Sequence, residues 1–207
     1  MTTLMNKMTD PIIKRGQARI LQLPNILTIG RITVVPLIVA CLLIDGTAAR
    51  WTALALFICA ALTDYGDGYL ARRLSLHSAF GTMLDPIADK LLVSALLIML
   101  VGDGTISGVH MVAAVIILAR EILISGLREY LAGVKFEMPV SWMAKWKTAT
   151  QLIALAFLLF TLPGNAETNP LAVVGTGLLW VAALLTLTTG YNYMKLGMAR
   201  VIAEDDQ

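Results

Sequence analysis

Four aspartates in one short stretch are the residues of this chain best placed to do chemistry. Asp64-Tyr-Gly-Asp67-Gly68-Tyr-Leu-Ala71-Arg72 is followed by Gly81-Thr-Met-Leu-Asp85-Pro-Ile-Ala-Asp89. Asp64 and Asp67 are three apart, and Asp85 and Asp89 are four apart, so on helices each pair shares a face. Four carboxylates gathered together repel one another, and protons or cations must relieve that repulsion. Hard divalent cations with oxygen ligands, Mg2+ or Mn2+, suit this donor set. Zinc suits it less, because His77 and Cys59 are lone residues without the partner spacing of a zinc site. Gly68 and Gly81 let a flat ligand or a phosphate approach the backbone, or serve helix packing. Arg72, five residues after Asp67, is placed to meet a phosphate or to act as a boundary anchor.

The elements that must position these residues are apolar. Of 207 residues, 57% are hydrophobic and only 14% charged, with a mean hydropathy of +0.76. A soluble domain carries about a quarter charged residues, and this chain lacks the charge to cover a soluble core. Disorder, a nucleic-acid-binding domain and a soluble enzyme are excluded. The expected class is all-α, a polytopic membrane protein with six transmembrane helices preceded by an amphipathic juxtamembrane helix. The six apolar segments fall near Ile26–Ile44, Trp51–Thr63, Ile87–Leu100, Val109–Ile124, Thr148–Leu162 and Leu171–Tyr191. The second and third are short, and each is expected to continue as helix into the polar stretch from Asp64 to Asp89. Residues 1–22 read as an N-terminal segment with the juxtamembrane helix, 23–200 as one domain, and 201–207 as an acidic tail. Glu204–Gln207 is expected to be solvated and unstructured. Cys41 and Cys59 both lie in apolar runs and read as packed thiols.

Loop charge sets the orientation. The loops 45–50, 102–108 and 163–170 contain one basic residue, Arg50, while the opposite side carries Lys14, Arg15, Arg19, Arg72, Arg73 and many more. By the positive-inside rule both termini and the aspartates face the cytoplasm.

The pattern D-G-x-x-A-R, eight residues, then G-x-x-x-D-x-x-x-D, with an Asp three before the first, resembles the signature of the CDP-alcohol phosphatidyltransferases. Asp64, Asp67, Gly68, Ala71, Arg72, Gly81, Asp85 and Asp89 match it without a departure. The resemblance implies transfer of a phosphatidyl group from CDP-diacylglycerol to an alcohol, with release of CMP. It makes Asp64, Asp67 and Asp85 ligands of two divalent cations, and Asp89 the general base, also near the metals. It implies CDP-diacylglycerol contacts from Gly68, Arg72, Gly81 and Ser78, and from Asn25 and Thr28 at the start of the first span. The plainer reading of Asn25 is a helix cap. Arg31, in the same run, reads as a further anchor or an interfacial charge. A homodimer is also implied.

A second polar cluster interrupts the later spans. Arg120 and Glu121 stand inside an apolar run, which is costly in lipid and points to a buried cavity. Arg128 lies eight residues beyond Arg120, on roughly the same helix face. Lys145 and Lys147 open the fifth span. Together they would suit an anionic acceptor, above all one bearing phosphate; the alternative for the lysines is positive-inside anchoring beside Trp142 and Trp146. Glu121 could pair with Arg120, although adjacent side chains on a helix point apart. The runs Leu23–Arg31, Arg120–Tyr130 and Lys145–Gln151 are similar to those of the bacterial phosphatidylglycerophosphate synthases, with Ala144 where that group commonly has Gly. That similarity implies sn-glycerol 3-phosphate as the acceptor and the bacterial inner membrane as the location. The basic pocket alone would also admit inositol phosphate; serine would not need several cations. A cation-coupled transporter is the rival from another class, but no chain of acids continues to the far side.

Overall fold

The computed structural model describes residues 23–74, 79–134, 136, 142–163 and 169–205, with side chains described except at 23–26, 64–74, 79–82 and 203–205. Among the described residues every regular element is an α-helix: α1 (Leu23–Leu43), α2 (Thr47–Leu74), α3 (Ala79–Gly102), α4 (His110–Gly133), α5 (Trp142–Phe160) and α6 (Pro170–Asp205). The all-α class holds. Among the described residues two helices are long and apolar enough to cross a membrane, α4 with 24 residues and the Pro170–Ile202 part of α6. The juxtamembrane helix expected within 1–22 lies outside the described residues. As expected, α2 and α3 continue past their apolar runs into the polar stretch, so α2 carries Asp64 and Asp67 near its end and α3 begins before Asp85. The expectation of an unstructured end is corrected in part. Helix α6 continues to Asp205, because the run from Met198 to Ala203 contains no Gly or Pro to stop it.

The chain divides into two compact units. The first, Met1–Asp45 with Thr52–Ala95, contains α1, most of α2 and the first part of α3. Ile38, Ala53, Phe57, Ala88 and Leu92 are buried in it. Thr28 and Arg31, three apart on α1, reach Asp85 and Asp89, four apart on α3. Both contacts advance in the same chain direction, so α1 and α3 run parallel here.

The second unit, Gly46–Trp51 with Leu96–Gln207, is built on α4, α5 and α6. Helices α4 and α6 are parallel and keep one register. Trp180 Nε1 donates to His110 Nδ1 at 3.0 Å, Gly190 lies against Arg120, and Gly197 lies against Leu127. A Cβ on Gly197 would stand 2.7 Å from Leu127 Cδ2, so a larger residue there would have to shift the end of the Leu127 side chain. Helix α5 runs antiparallel to both. Lys147 near its start meets Glu121 in the middle of α4, and Phe157 and Leu158 near its end meet Gly175 near the start of α6. Ile117, Leu155, Leu158 and Leu179 are fully buried in this unit. Helix α6 starts where its sequence says it should: Asn169 Oδ1 accepts from the Leu171 N–H at 2.9 Å, and Pro170 occupies the first helical position.

Arg50 departs from the sequence reading, which treats it as a loop charge. It is only 6% exposed. Its Nε donates to the Leu159 carbonyl at 3.1 Å, and Nη2 donates to the Leu158 carbonyl at 3.1 Å and to Thr105 Oγ1 at 2.7 Å. Nη1 pairs with Asp103 Oδ2 at 2.5 Å, while Asp103 Oδ1 accepts from the Thr105 N–H at 2.9 Å. The last carbonyls of a helix have no partner within it and carry partial negative charge. Arg50 supplies both the donors and the positive charge at the C-terminus of α5.

Candidate active site

In the first unit the aspartates of α3 are held by α1. Thr28, 2% exposed, donates its hydroxyl to Asp85 Oδ1 at 2.5 Å. Arg31, 3% exposed, donates from Nη1 to Asp89 Oδ1 at 2.7 Å. The Asp89 side chain is itself 50% exposed, so a carboxylate held by Arg31 still reaches the surface. Sequence reasoning assigns Thr28 to a nucleotide and leaves Arg31 as an anchor or interfacial charge. The structure joins both to carboxylates more than fifty residues away. The signal that could have found Arg31 is its spacing: it lies three residues after Thr28 and shares its helix face.

Asp64, Asp67, Gly68 and Arg72 lie on α2, Gly81 on the first turn of α3 and Asn25 on the first turn of α1, all at positions whose side chains are outside the described set. Ser78 lies outside the described residues altogether. Among the described side chains no three His, Cys, Asp or Glu gather as a metal site, and Asp64 and Asp67 are not among those side chains. Asp85 and Asp89 fit a hard divalent cation by the chemistry of their donors. Both present carboxylate oxygens on successive turns of one helix, and among the described residues no His or Cys joins them.

In the second unit three helices build a buried charged cluster. Lys147 of α5 pairs through Nζ with Glu121 Oε1 of α4, and Arg120 Nη1 approaches the same oxygen at 3.6 Å. The Arg120, Glu121 and Lys147 side chains are only 11%, 14% and 7% exposed, so these charges are held out of water together. Adjacency on α4 does not keep Arg120 from Glu121, because both side chains are long enough to bend toward one point. Arg120 also donates from Nη2 to Thr189 Oγ1 at 3.1 Å, and its guanidinium carbon stands 5.8 Å from the Tyr193 ring centroid. Gly190 makes this possible. A Cβ there would lie 3.0 Å from Arg120 Cγ and 3.3 Å from Nε. Two buried polar atoms here have no hydrogen-bond partner, Arg120 Nε and Thr186 Oγ1. Arg128 and Lys145 are exposed, so the structure brings Arg120 and Lys147 together but leaves the other two proposed acceptor contacts at the surface. Sequence reasoning missed Thr189, Gly190 and Tyr193. The run Thr188-Thr-Gly-Tyr191, polar and glycine-bearing inside the last apolar segment, was the available signal.

Residues 21–188 match the family model described as CDP-alcohol phosphatidyltransferase. A protein of Rickettsia bellii named CDP-diacylglycerol–glycerol-3-phosphate 3-phosphatidyltransferase is 48% identical over 173 residues, covering 84% of this chain and 93% of that protein. An Arabidopsis thaliana protein named CDP-diacylglycerol–glycerol-3-phosphate 3-phosphatidyltransferase 2 is 38% identical over 205 residues, covering 93% of this chain and 87% of its own length. A rice protein named cardiolipin synthase (CMP-forming) is 38% identical over 194 residues, covering 86% of this chain and 57% of that protein.

Proposed function

The chain belongs to the CDP-alcohol phosphatidyltransferase family, and from that premise we propose that it transfers the phosphatidyl group of CDP-diacylglycerol to sn-glycerol 3-phosphate. The products are phosphatidylglycerophosphate and CMP. The observation that carries this reading is the 48% identity, over 93% of its length, to a relative named for that reaction.

A hydroxyl oxygen of the acceptor attacks the phosphorus that bears the diacylglycerol, and the bond from that phosphorus to CMP breaks. Asp89 takes the hydroxyl proton, with one oxygen held by Arg31 and the side chain half exposed. Asp64, Asp67, Asp85 and Asp89 would hold two divalent cations, Mg2+ or Mn2+, which when bound neutralise the diphosphate and the leaving CMP. Asn25, Thr28, Gly68, Arg72, Ser78 and Gly81 contact CDP-diacylglycerol, and Thr28 also steadies Asp85. Arg120, Lys147, Lys145 and Arg128 bind the acceptor phosphate, the first two from within the bundle and the last two from its surface. In this reading α1 to α6 are six spans after a juxtamembrane segment. Both termini and the aspartates face the cytoplasm at a bacterial inner membrane, and the working unit is a homodimer. The buried position of Arg50 supports the orientation, since it removes the lone basic residue of the opposite loops from the count of exposed charge.

CMP release by purified protein tests the proposal, with CDP-diacylglycerol and either glycerol 3-phosphate, inositol phosphate, serine or phosphatidylglycerol, with and without chelator. Release is expected with glycerol 3-phosphate alone and is lost on chelation. Asp89→Asn should lower turnover by about 10²–10⁴-fold while the protein stays folded. Release with another acceptor only would overturn the acceptor assignment, and near-normal turnover of Asp89→Asn would overturn the base.

A further inference from the structure

Arg120 is a long, flexible side chain that must hold its charge at one point, and the residues that seat it lie on α6. Its stem crosses Gly190, where a Cβ would lie 3.0 Å from Arg120 Cγ, and its head reaches the preceding residue, Thr189, whose Oγ1 accepts from Nη2 at 3.1 Å. We infer that Thr189 is the positioning residue for Arg120: its hydroxyl oxygen sets where the guanidinium lies and, through it, the affinity for a phosphate-bearing acceptor. The inference rests on the acceptor reading above and deepens it. Thr189 is 2% exposed and touches no reacting atom.

Three observations carry it. The first is the polarity of the hydroxyl. Thr189 Oγ1 lies 2.7 Å from the Leu185 carbonyl oxygen and 3.2 Å from that of Thr186, and both can only accept. A hydroxyl has one proton to give. That proton is spent on the backbone of α6, so lone pairs are what the oxygen offers Arg120, and a cationic donor makes the stronger bond to them. The second is the contrast with the neighbouring threonine. Thr188 donates to the Leu184 and Leu185 carbonyls in the same way, yet it is exposed and, among the described residues, no cation meets it. Bonding back to the helix is common to both threonines, and the contact with Arg120 is what Thr189 adds. The third is the lack of a substitute. Among the described residues Thr189 is the sole hydrogen-bond partner of Arg120, because Glu121 stands at 3.6 Å, beyond hydrogen-bond distance. An arginine gives up much rotamer freedom when it is held. Without the Thr189 oxygen only the Tyr193 face, packing over Gly190 and a longer-range attraction to Glu121 would keep the guanidinium in place.

Thr189→Val keeps the side chain's shape and removes its hydroxyl. CMP release by the purified protein in detergent is measured with glycerol 3-phosphate varied, beside the thermal unfolding midpoint. The KM for glycerol 3-phosphate should rise about tenfold, with kcat within about threefold and the KM for CDP-diacylglycerol unchanged, because a contact with the acceptor's phosphate is remote from the reacting hydroxyl. Thr189→Ser keeps the oxygen and should stay within about twofold of the unsubstituted protein. Thr188→Val, the same change one position earlier, should leave both constants unaltered. In an Arg120→Lys background Thr189→Val should add much less than it does alone, a non-additive result that isolates the pair. Should Thr189→Val not fold, Thr189→Ala makes the same test. If Arg120→Lys raises the KM but Thr189→Val does not, or if Thr189→Ser is as impaired as Thr189→Val, the positioning role alone is overturned. If Arg120→Lys leaves the KM unchanged, Arg120 does not bind the acceptor and the reading beneath the inference has failed.

Discussion

Arg50, buried, and Arg120, mostly covered, are both guanidiniums of the second unit, and they are satisfied in opposite ways. Arg50 spends Nε, Nη1 and Nη2 on two helix-end carbonyls, a hydroxyl and a carboxylate of its own. Arg120 shares one carboxylate oxygen with Lys147, leans on a threonine and an aromatic face, and leaves Nε without a hydrogen-bond partner. The difference separates two uses of a costly group. A buried cation whose donors all find fixed partners works as a structural tie. Arg120 instead shares its anionic partner with a second cation, and its cluster is where the proposed function needs an anion.

Substitution at Arg50 should act chiefly on stability. Arg50→Met takes the cation from Asp103 and a donor from each of the Leu158 and Leu159 carbonyls, and should cost about 3–5 kcal/mol of stability, read as a large drop in unfolding midpoint. The KM for glycerol 3-phosphate in whatever folded protein remains should not change. A selective rise in KM would erase the distinction. Lys147→Met should do the reverse, raising the acceptor KM by about 100-fold, equivalent to about 2.7 kcal/mol, with a smaller loss of stability than Arg50→Met. Steady-state kinetics with glycerol 3-phosphate as the varied substrate checks it. Gly190→Ala sharpens the contrast without touching a charge. The added methyl, 3.0 Å from Arg120 Cγ and 3.3 Å from Nε, needs the Arg120 side chain to give by about a few tenths of an ångström. It should raise that KM by roughly severalfold and lower the unfolding midpoint by about 2–4 °C. The smallest effect is expected at the other end of the same helix pair. Trp180→Phe deletes the donor to His110 and should cost about 1 kcal/mol with unchanged CMP release.

How much of this was legible beforehand depended on the range of the interaction. The placement of Asp64 and Asp67 on α2 and of Asp85 and Asp89 on α3 could be read because it is local: both helices continue past their apolar runs. The start of α6 at Asn169-Pro170 is equally local. Arg50 was misread because its partners at Asp103, Thr105, Leu158 and Leu159 lie fifty or more residues away, and composition alone makes a loop arginine look solvated. Thr189, Gly190 and Tyr193 were missed for the same reason: only helix register decides that they meet Arg120. The split among the basic residues, with Arg120 and Lys147 inside and Arg128 and Lys145 exposed, also needed coordinates. Spacing of eight and of two residues places side chains on a cylinder, but the neighbouring helices decide which arc of it is covered.

The shared register of α4 and α6 has a consequence for how this chain can change in length. His110 meets Trp180, Arg120 meets Gly190 and Leu127 meets Gly197, so the two helices are keyed at three levels with a constant offset of 70 residues. One residue inserted between the first two levels of either helix turns everything beyond it by about 100° and advances it by about 1.5 Å. Arg120 would then face a side chain instead of the Gly190 groove. Matching insertions in both helices restore the keying. Insertions and deletions in this pair should therefore be accepted together and rejected singly, while the connection between α5 and α6 can vary in length without disturbing the match.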